Sequence, residues 1–272
     1  MRTTVLIVAA GSGSRLQAGV PKAMVTLGDG HTMLEHCLDS VVAARDAGAI
    51  ELNAIAVVVP GDPDHAASLE AVCHDFAART AVTVQTVPGG AERADSVRAG
   101  LAAVRTLAGS AGSAGSAGGP FGRHALLVHD AARPFVPPAV FDAVATALES
   151  GTAAVVPAVE VVDTIKTVTG AAPEEVTGTL QRTQLRAVQT PQGFDLTSLE
   201  AAHRLAEEGA AGAAALTDDA MAMEAAGHRV GVVAGDPLGF KITTQLDLML
   251  ANALLASGSA APSTPSTNLE HH

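Results

Sequence analysis

The sequence predicts an α/β fold built on a doubly wound, mostly parallel sheet. Short continuous apolar runs recur along the chain, stretches of helical periodicity separate most of them, and the first run breaks at once into glycine and serine. The runs lie at 5–9, 54–59, 82–87, 125–129, 153–159 and 230–234. Continuous rather than alternating hydrophobicity is the mark of strands covered on both faces by helices. Between the first two runs, Leu34, Leu38, Val41 and Val42 recur at helical spacing over 32–47. Sheets of this kind bind ligands at the carboxyl ends of their strands, so the residues just after each run are the first place to look for chemistry.

Three segments depart from this rhythm. Residues 108–119, "AGSAGSAGSAGG", have nothing to bury and read as a flexible surface insertion. Residues 158–190 hold β-forming residues around "TGAAPEE" with little helical periodicity, and read as a hairpin arm projecting from the sheet. Residues 258–272 are rich in Ser, Ala and Pro and end in "LEHH", the pattern of an affinity-tag remnant. The rest, 1–257, is expected to form one domain.

Composition removes several function classes. Apolar residues make up 48 % of the 272, enough for a substantial core. A formal charge of −12 argues against a nucleic-acid binder, whose affinity rests on clustered cations. There is no Trp or Tyr and only six Phe, so a base would have to be read by hydrogen bonds rather than by stacking. Cys37 and Cys73 have no His or Cys partner at metal-ligand spacing and read as buried hydrophobes in a reducing compartment. No secretion signal and no run long enough to span a membrane is found, so a cytoplasmic location without membrane partners is expected. His31, His36, His65 and His74 show no paired carboxylate at ligand spacing, and His129 points away from its neighbour Asp130 on the strand.

The first run leads into "VAAGSGSRLQAGVPKAM" (8–24). A dinucleotide fingerprint would place a third glycine where Leu16 stands, and no Gly-Lys-Ser or Gly-Lys-Thr occurs, so hydride chemistry and a Walker loop are both disfavoured. What remains is either a plain surface turn or a loop whose N–H groups surround phosphate oxygens, with Arg15 and Lys22 as cations. Asp130 follows an apolar run, where it is either a turn former or a ligand for Mg²⁺, an ion that favours one or two carboxylates and keeps its waters. Arg133, three residues on, is placed to order that carboxylate or to meet a phosphate. Lys241 sits between Phe240 and Ile242, where an unpaired buried ammonium would be costly.

The order Ala-Ala-Gly-x-Gly-x-Arg, then Pro21-Lys22, resembles nucleotidyltransferases that join an NTP to a phosphorylated sugar or polyol. "PGGAERADSVRAGL" (88–101), "VHDAARPFV" (128–136), "VVDTIKTV" (161–168), "RTQLRAVQTPQGF" (182–194), "TDDAMAMEAAG" (217–227) and "GFKITTQLDL" (239–248) follow in the order found in 2-C-methyl-D-erythritol 4-phosphate cytidylyltransferases. The resemblance implies a Rossmann-like nucleotidyltransferase fold and transfer of CMP from CTP, with Mg²⁺ or another divalent cation as cofactor. It implies a CTP pocket of Ala9, Ala10, Gly11, Gly13, Arg15, Lys22, Gly90, Ser96 and Asp130, the last also holding the metal. It implies a polyol-phosphate site of Arg133, Thr164, Arg182, Thr190 and Lys241. Arg15, Lys22, Arg182 and Lys241 would be catalytic, Arg182 being delivered from the arm of a partner subunit in a homodimer. Ala91 stands where relatives often have Asp, and Leu238 where an acid is common upstream of Lys241, the nearest one here being Asp236. A ribitol 5-phosphate cytidylyltransferase shares the loop and the CTP pocket, and a silent CTP-binding regulator on the same scaffold is the rival of another class. The arm residues favour the methylerythritol substrate, and retention of Arg15, Lys22, Asp130 and Lys241 favours an enzyme.

Overall fold

The computed structural model describes residues 1–11, 13–16, 18–90, 93–110, 124–170, 172–208 and 218–259. Among them, eight strands form one mixed sheet flanked by helices. Strand β1 (Arg2–Val8) lies inside the sheet, parallel to β2 (Glu51–Val59) on one side and β4 (Ala125–Asp130) on the other. Beyond β2 comes β3 (Val84–Pro88), also parallel. Beyond β4 the direction reverses once: β9 (Gln192–Asp195) runs antiparallel between β4 and β5 (Ala154–Glu160), and β10 (Val230–Ala234) closes the edge parallel to β5.

Continuous apolar runs are explained by two packed faces. Val5 and Ile7 of β1 enter one cluster with residues of α1 (Met33–Asp46), α2 (Pro63–Thr80) and α4 (Pro138–Glu149), while Leu6 between them enters a second with α3 (Arg93–Ser110) and α5 (Leu196–Glu207). Alternation would have left one face polar. The helices begin where side chains supply missing acceptors. Thr32 and Glu35 form a capping box at α1, and Asp62 caps α2 with Pro63 in its first turn. The predicted 32–47 helix therefore matches α1 together with its two cap residues.

The arm differs in extent from the expectation. Residues 158–160 belong to β5, and β8 (Arg186–Val188) returns to pair antiparallel with them. The separate hairpin is formed by β6 (Lys166–Thr169) and β7 (Glu175–Thr179), which have no strand neighbour in the main sheet. Val176 of β7 is 62 % exposed, and Val162 ahead of the hairpin is 76 % exposed. Residues 108–110 of the expected insertion complete α3, and 111–119 lie outside the described residues, as does the tail from 260. Both cysteines are free and buried.

The histidine expectation needs correcting. His31 is 3.4 Å from Glu35, His36 is 3.1 Å from Asp29, His65 is 3.0 Å from Asp62 and His74 is 3.6 Å from Asp75. Turn and first-turn geometry brings the first three carboxylates to their rings, and His74 and Asp75 are exposed neighbours within α2, yet among the described residues no three potential metal ligands converge. No helix among the described residues is long and apolar enough to cross a membrane.

Close helix–sheet packing rests on Gly100 of α3, where a Cβ would strike the Leu6 side chain of β1. Gly100→Val should therefore lower stability by roughly 1–3 kcal/mol through overpacking. Chemical denaturation measures this, and an unchanged midpoint would contradict the packing described.

Candidate active site

Four chain segments meet at the carboxyl ends of β1, β2, β3 and β4. The first follows β1. Ala9 N–H donates to Val58 O at 2.9 Å, and the chain then leaves the sheet until Lys22 N–H returns to Gly11 O at 3.2 Å and closes the loop. Gly13 sits at φ +65°, and a Cβ on it would lie 2.9 Å from Lys22 Cβ. Glycine is what lets the cation-bearing end of the loop fold against its beginning.

The second segment follows β3. Gly90 N–H donates to Ser96 Oγ at 3.2 Å, and a Cβ at Gly89 would come within 2.8 Å of Ala10 Cβ. Small residues thus bring these two walls together. The third segment follows β4, where Asp130 is paired in register with Val8. The fourth is the extended stretch 241–243, tied down when Ile242 N–H donates to Ala132 O at 2.9 Å. Ile242 is fully buried among Leu16, Met33 and Phe135.

Between them lies a cavity of about 480 Å³, within the range of small-molecule sites. It is lined by Ala9, Ala10, Gly11, Gly13, Arg15, Lys22, Gly90, Ser96, Asp130 and Lys241, together with Val8, Ala23, Arg93, Ala131, Ala132 and Thr243. Lys241 is not buried as its apolar neighbours suggest. Its side chain is 42 % exposed because neighbouring residues of the extended stretch point to opposite sides, and its Nζ donates to Asp130 Oδ2 at 2.7 Å.

Asp130 organises the charges. Arg133 Nε lies 3.7 Å from the same Oδ2. Burial alone would push the Asp130 carboxyl up, but Lys241 above all, then Arg93 and Arg133, hold it down at about 2. Lys22 moves the other way. Burial, the like charge of Lys241 and that of Arg15 bring its ammonium down to about 8, against the pull of Asp130 and Asp247. Its Nζ donates to Thr243 Oγ1 at 3.5 Å. Beside Asp130, burial lowers the His129 imidazole to about 4, and this neutral ring packs on Phe141.

A profile of the family described as 2-C-methyl-D-erythritol 4-phosphate cytidylyltransferase matches residues 3–257. The chain belongs to this family. It is 42 % identical over 259 residues to the Streptomyces avermitilis 2-C-methyl-D-erythritol 4-phosphate cytidylyltransferase, covering 94 % of this chain and 92 % of that one. Against the Nocardia farcinica enzyme of the same name it is 44 % identical over 251 residues, covering 92 % of each. Among solved structures, the Thermus thermophilus 2-C-methyl-D-erythritol 4-phosphate cytidylyltransferase superposes with a TM-score of 0.64 at 31 % identity, covering 94 % of this chain and all of that one. The 4-diphosphocytidyl-2C-methyl-D-erythritol synthase of Anaerococcus prevotii gives 0.69 at 28 % identity, covering 93 % of this chain and 98 % of that one.

For a chain of this cytidylyltransferase family, the cavity gathers all nine residues expected to bind CTP, and Lys241 as well. The other four expected site residues lie elsewhere. Arg133 uses its guanidinium on backbone, donating to Gly239 O at 2.6 Å and Val188 O at 3.3 Å. Thr190 Oγ1 accepts from Asp130 N–H at 3.0 Å and lies 2.8 Å from His129 Nδ1. Both brace the wall beside Asp130 and stand outside the lining of this cavity. Thr164 and Arg182 are exposed on the arm, Arg182 donating to Val162 O at 2.7 Å. Asp236 caps the 3-10 turn Pro237–Gly239, and Ala91 lies outside the described residues.

Sequence reasoning does not single out Arg93 or Thr243. Arg93 stands in the quoted "GGAERADS" stretch, but only its partner Asp219 in the folded chain marks it as more than a surface charge.

The lowered Lys22 pKa has a testable sign. Above pH 8 the free protein holds Lys22 mostly neutral, and a bound triphosphate favours the ammonium, so CTP binding at pH 8.5 should take up protons. Calorimetry in buffers of different ionisation enthalpy should find this uptake in the wild type and lose it in Lys22→Arg. Equal uptake in both would contradict the assignment.

Proposed function

We infer that the protein transfers CMP from CTP to 2-C-methyl-D-erythritol 4-phosphate, releasing pyrophosphate and 4-diphosphocytidyl-2-C-methyl-D-erythritol. The observation that supports this most is that Arg15, Lys22, Arg93 and Lys241 line one cavity together with the Asp130 carboxylate, its other walls being small residues. An oxygen of the substrate phosphate attacks the α-phosphorus of CTP, the new P–O bond forms in line, and the bond to the pyrophosphate oxygen breaks. Negative charge spreads over the transferring group, so prepositioned cations supply most of the catalysis.

Arg15 and Lys22 sit on the loop after β1 and meet the triphosphate, while Lys241 meets the incoming phosphate. Backbone groups of Ala10 and Gly90 and the hydroxyl of Ser96 read cytosine by hydrogen bonds, in keeping with a chain poor in aromatics. A Mg²⁺ ion fits this donor set in one way only. Asp130 is the carboxylate of the cavity, and Mg²⁺ commonly takes one or two carboxylates and completes its shell with phosphates and water. Bound there, it would supply charge neutralisation to the phosphates. Thr190 and Arg133 hold the Asp130 backbone and side chain in place for either role.

Pyrophosphate release with CTP should require 2-C-methyl-D-erythritol 4-phosphate, with ribitol 5-phosphate at least a hundredfold poorer in kcat/KM. Equal use of both polyol phosphates would overturn the substrate assignment. Asp130→Asn should raise the Mg²⁺ concentration needed for half-maximal rate.

The active unit is proposed to be a homodimer. The β6–β7 hairpin is two-stranded, exposes Val168 and Val176, and among the described residues pairs with no strand of the main sheet, whereas isolated hairpins are marginal in water. Arg182 lies outside the cavity lining of its own chain, consistent with delivery to a neighbour's site. A guanidinium arriving there can hold the substrate phosphate by two hydrogen bonds. Lys22→Ala and Arg182→Ala should each lose roughly a hundredfold or more in turnover alone. Mixed under subunit exchange, they should recover about a quarter of wild-type activity, since half of the dimers are mixed and each of those has one intact site of two. No recovery after proven exchange would place Arg182 in its own subunit's site.

A further inference from the structure

A buried acid and a buried histidine stand behind the cavity, and the transfer reaction does not use them. Arg93 opens α3, and its side chain, 30 % exposed, borders the cavity beside Gly90, Ser96 and Asp130. Its Nη2 lies 2.8 Å from Oδ2 of Asp219, a residue only 1 % exposed in the first turn of α6 (Asp219–Ala225). The other oxygen, Oδ1, accepts from His203 Nε2 of α5 at 3.1 Å, and His203 is itself 5 % exposed. Asp219 and His203 are not part of the cavity lining.

Burying a carboxylate is costly even when it is paired, and an apolar residue of similar size is often no worse for stability. A chain that holds such a group beside a ligand cavity has a use for its charge. The charge falls on one target. Burial opposes the Arg93 guanidinium, but Asp219 first and Asp130 next favour it and hold its pKa above the ordinary value. Asp219 and Asp130 are thus the two strongest carboxylates pulling on this cation, with Asp218 a weaker third. Asp130 lies in the cavity and is the partner of Lys241, while Asp219 lies outside it.

We propose that Asp219, backed by His203, is a positioning residue that tethers Arg93 at the cavity wall, leaving its guanidinium to meet anionic oxygens of CTP instead of collapsing onto Asp130. The hydrogen bond from His203 fixes the rotation of the Asp219 carboxylate, so that Oδ2 faces Arg93. An untethered Arg93 would lose its preset position and also weaken the Asp130–Lys241 pair by competing for Asp130. The proposal rests on the reading that this cavity takes CTP.

The test combines calorimetric CTP binding with steady-state kinetics on the full chain. Asp219→Asn, nearly isosteric, should raise the Kd and KM for CTP about tenfold, the loss of one charge-assisted contact, with a much smaller change in KM for the polyol phosphate. Arg93→Ala should do the same, and Asp219→Asn added to Arg93→Ala should cost nothing further, because the two act as a unit. Unchanged CTP binding in Asp219→Asn, an equal rise in both KM values, or additive losses in the double variant would each overturn the tether. Should Asp219→Asn fail to fold, His203→Ala carries the test. It should raise KM for CTP about threefold and be rescued by His203→Gln, which keeps an N–H, and absence of either effect overturns the proposal. Wild-type protein that does not bind CTP would overturn the cytidylyl-transfer reading and the tether with it.

Discussion

The ion pair between Asp130 and Lys241 joins two parts of the chain that come together through the sheet and through the packing of Ile242 on Leu16, Met33 and Phe135. Asp130 is placed by the β1–β4 register, Lys241 by the buried Ile242 beside it and by the backbone bond to Ala132. The carboxylate is 13 % exposed, and it stays ionised because cations surround it. Burial first, and then the like charges of Lys241 and Arg15, lower the Lys22 pKa. The Asp130 charge therefore holds Lys241 close and favours the Lys22 ammonium before a polyanion arrives. Such a prepositioned cluster is what the proposed CMP transfer would need.

The architecture around this cluster serves backbone proximity. Gly13 folds the loop onto Lys22, Gly89 brings the wall after β3 against Ala10, and Gly100 lets α3 close on β1. Each is a place where one methyl group would separate two elements that must touch. Outside the cavity, Arg133 ties Gly239 to Val188, and Gln189 donates to Asp236 O at 2.8 Å while accepting from Asp236 N–H at 3.1 Å. The returning strand of the arm is thereby stitched to the turn that precedes Lys241, so the arm and the cavity share one rigid support.

Legibility in the sequence follows how local each signal is. Parallel strands buried on both faces leave continuous apolar runs, so β1, β2, β4 and β5 can be read directly, and the edge strand β10 carries such a run although Val232 is 58 % exposed. The short antiparallel strands cannot: β8 has three residues, and β9 reads "QGFD", with a buried Gln192 whose amide donates to Asp218. The loop residues after β1 are legible because spacing and residue type coincide there. Arg133 reads in the sequence as ordering the Asp130 carboxylate or meeting a phosphate, and the fold places it beside that carboxylate, while Thr190, to which only the resemblance points, accepts from the Asp130 N–H. Lys241 looks buried from its apolar neighbours, because alternation in an extended stretch is invisible over three residues. Arg93 stays silent because its meaning lies in Asp219, which is distant in sequence and near only after α3 and α6 have packed.

The claim on which the rest depends is that Asp130 holds the cavity cations together. Isotope-edited NMR titration of the Lys22 ammonium in wild type and Asp130→Asn, without ligand, tests it directly. Asp130 is the largest favourable charge acting on Lys22, so its removal should carry the Lys22 pKa below the wild-type value of about 8. A Lys22 pKa unchanged in a folded Asp130→Asn protein would contradict the account.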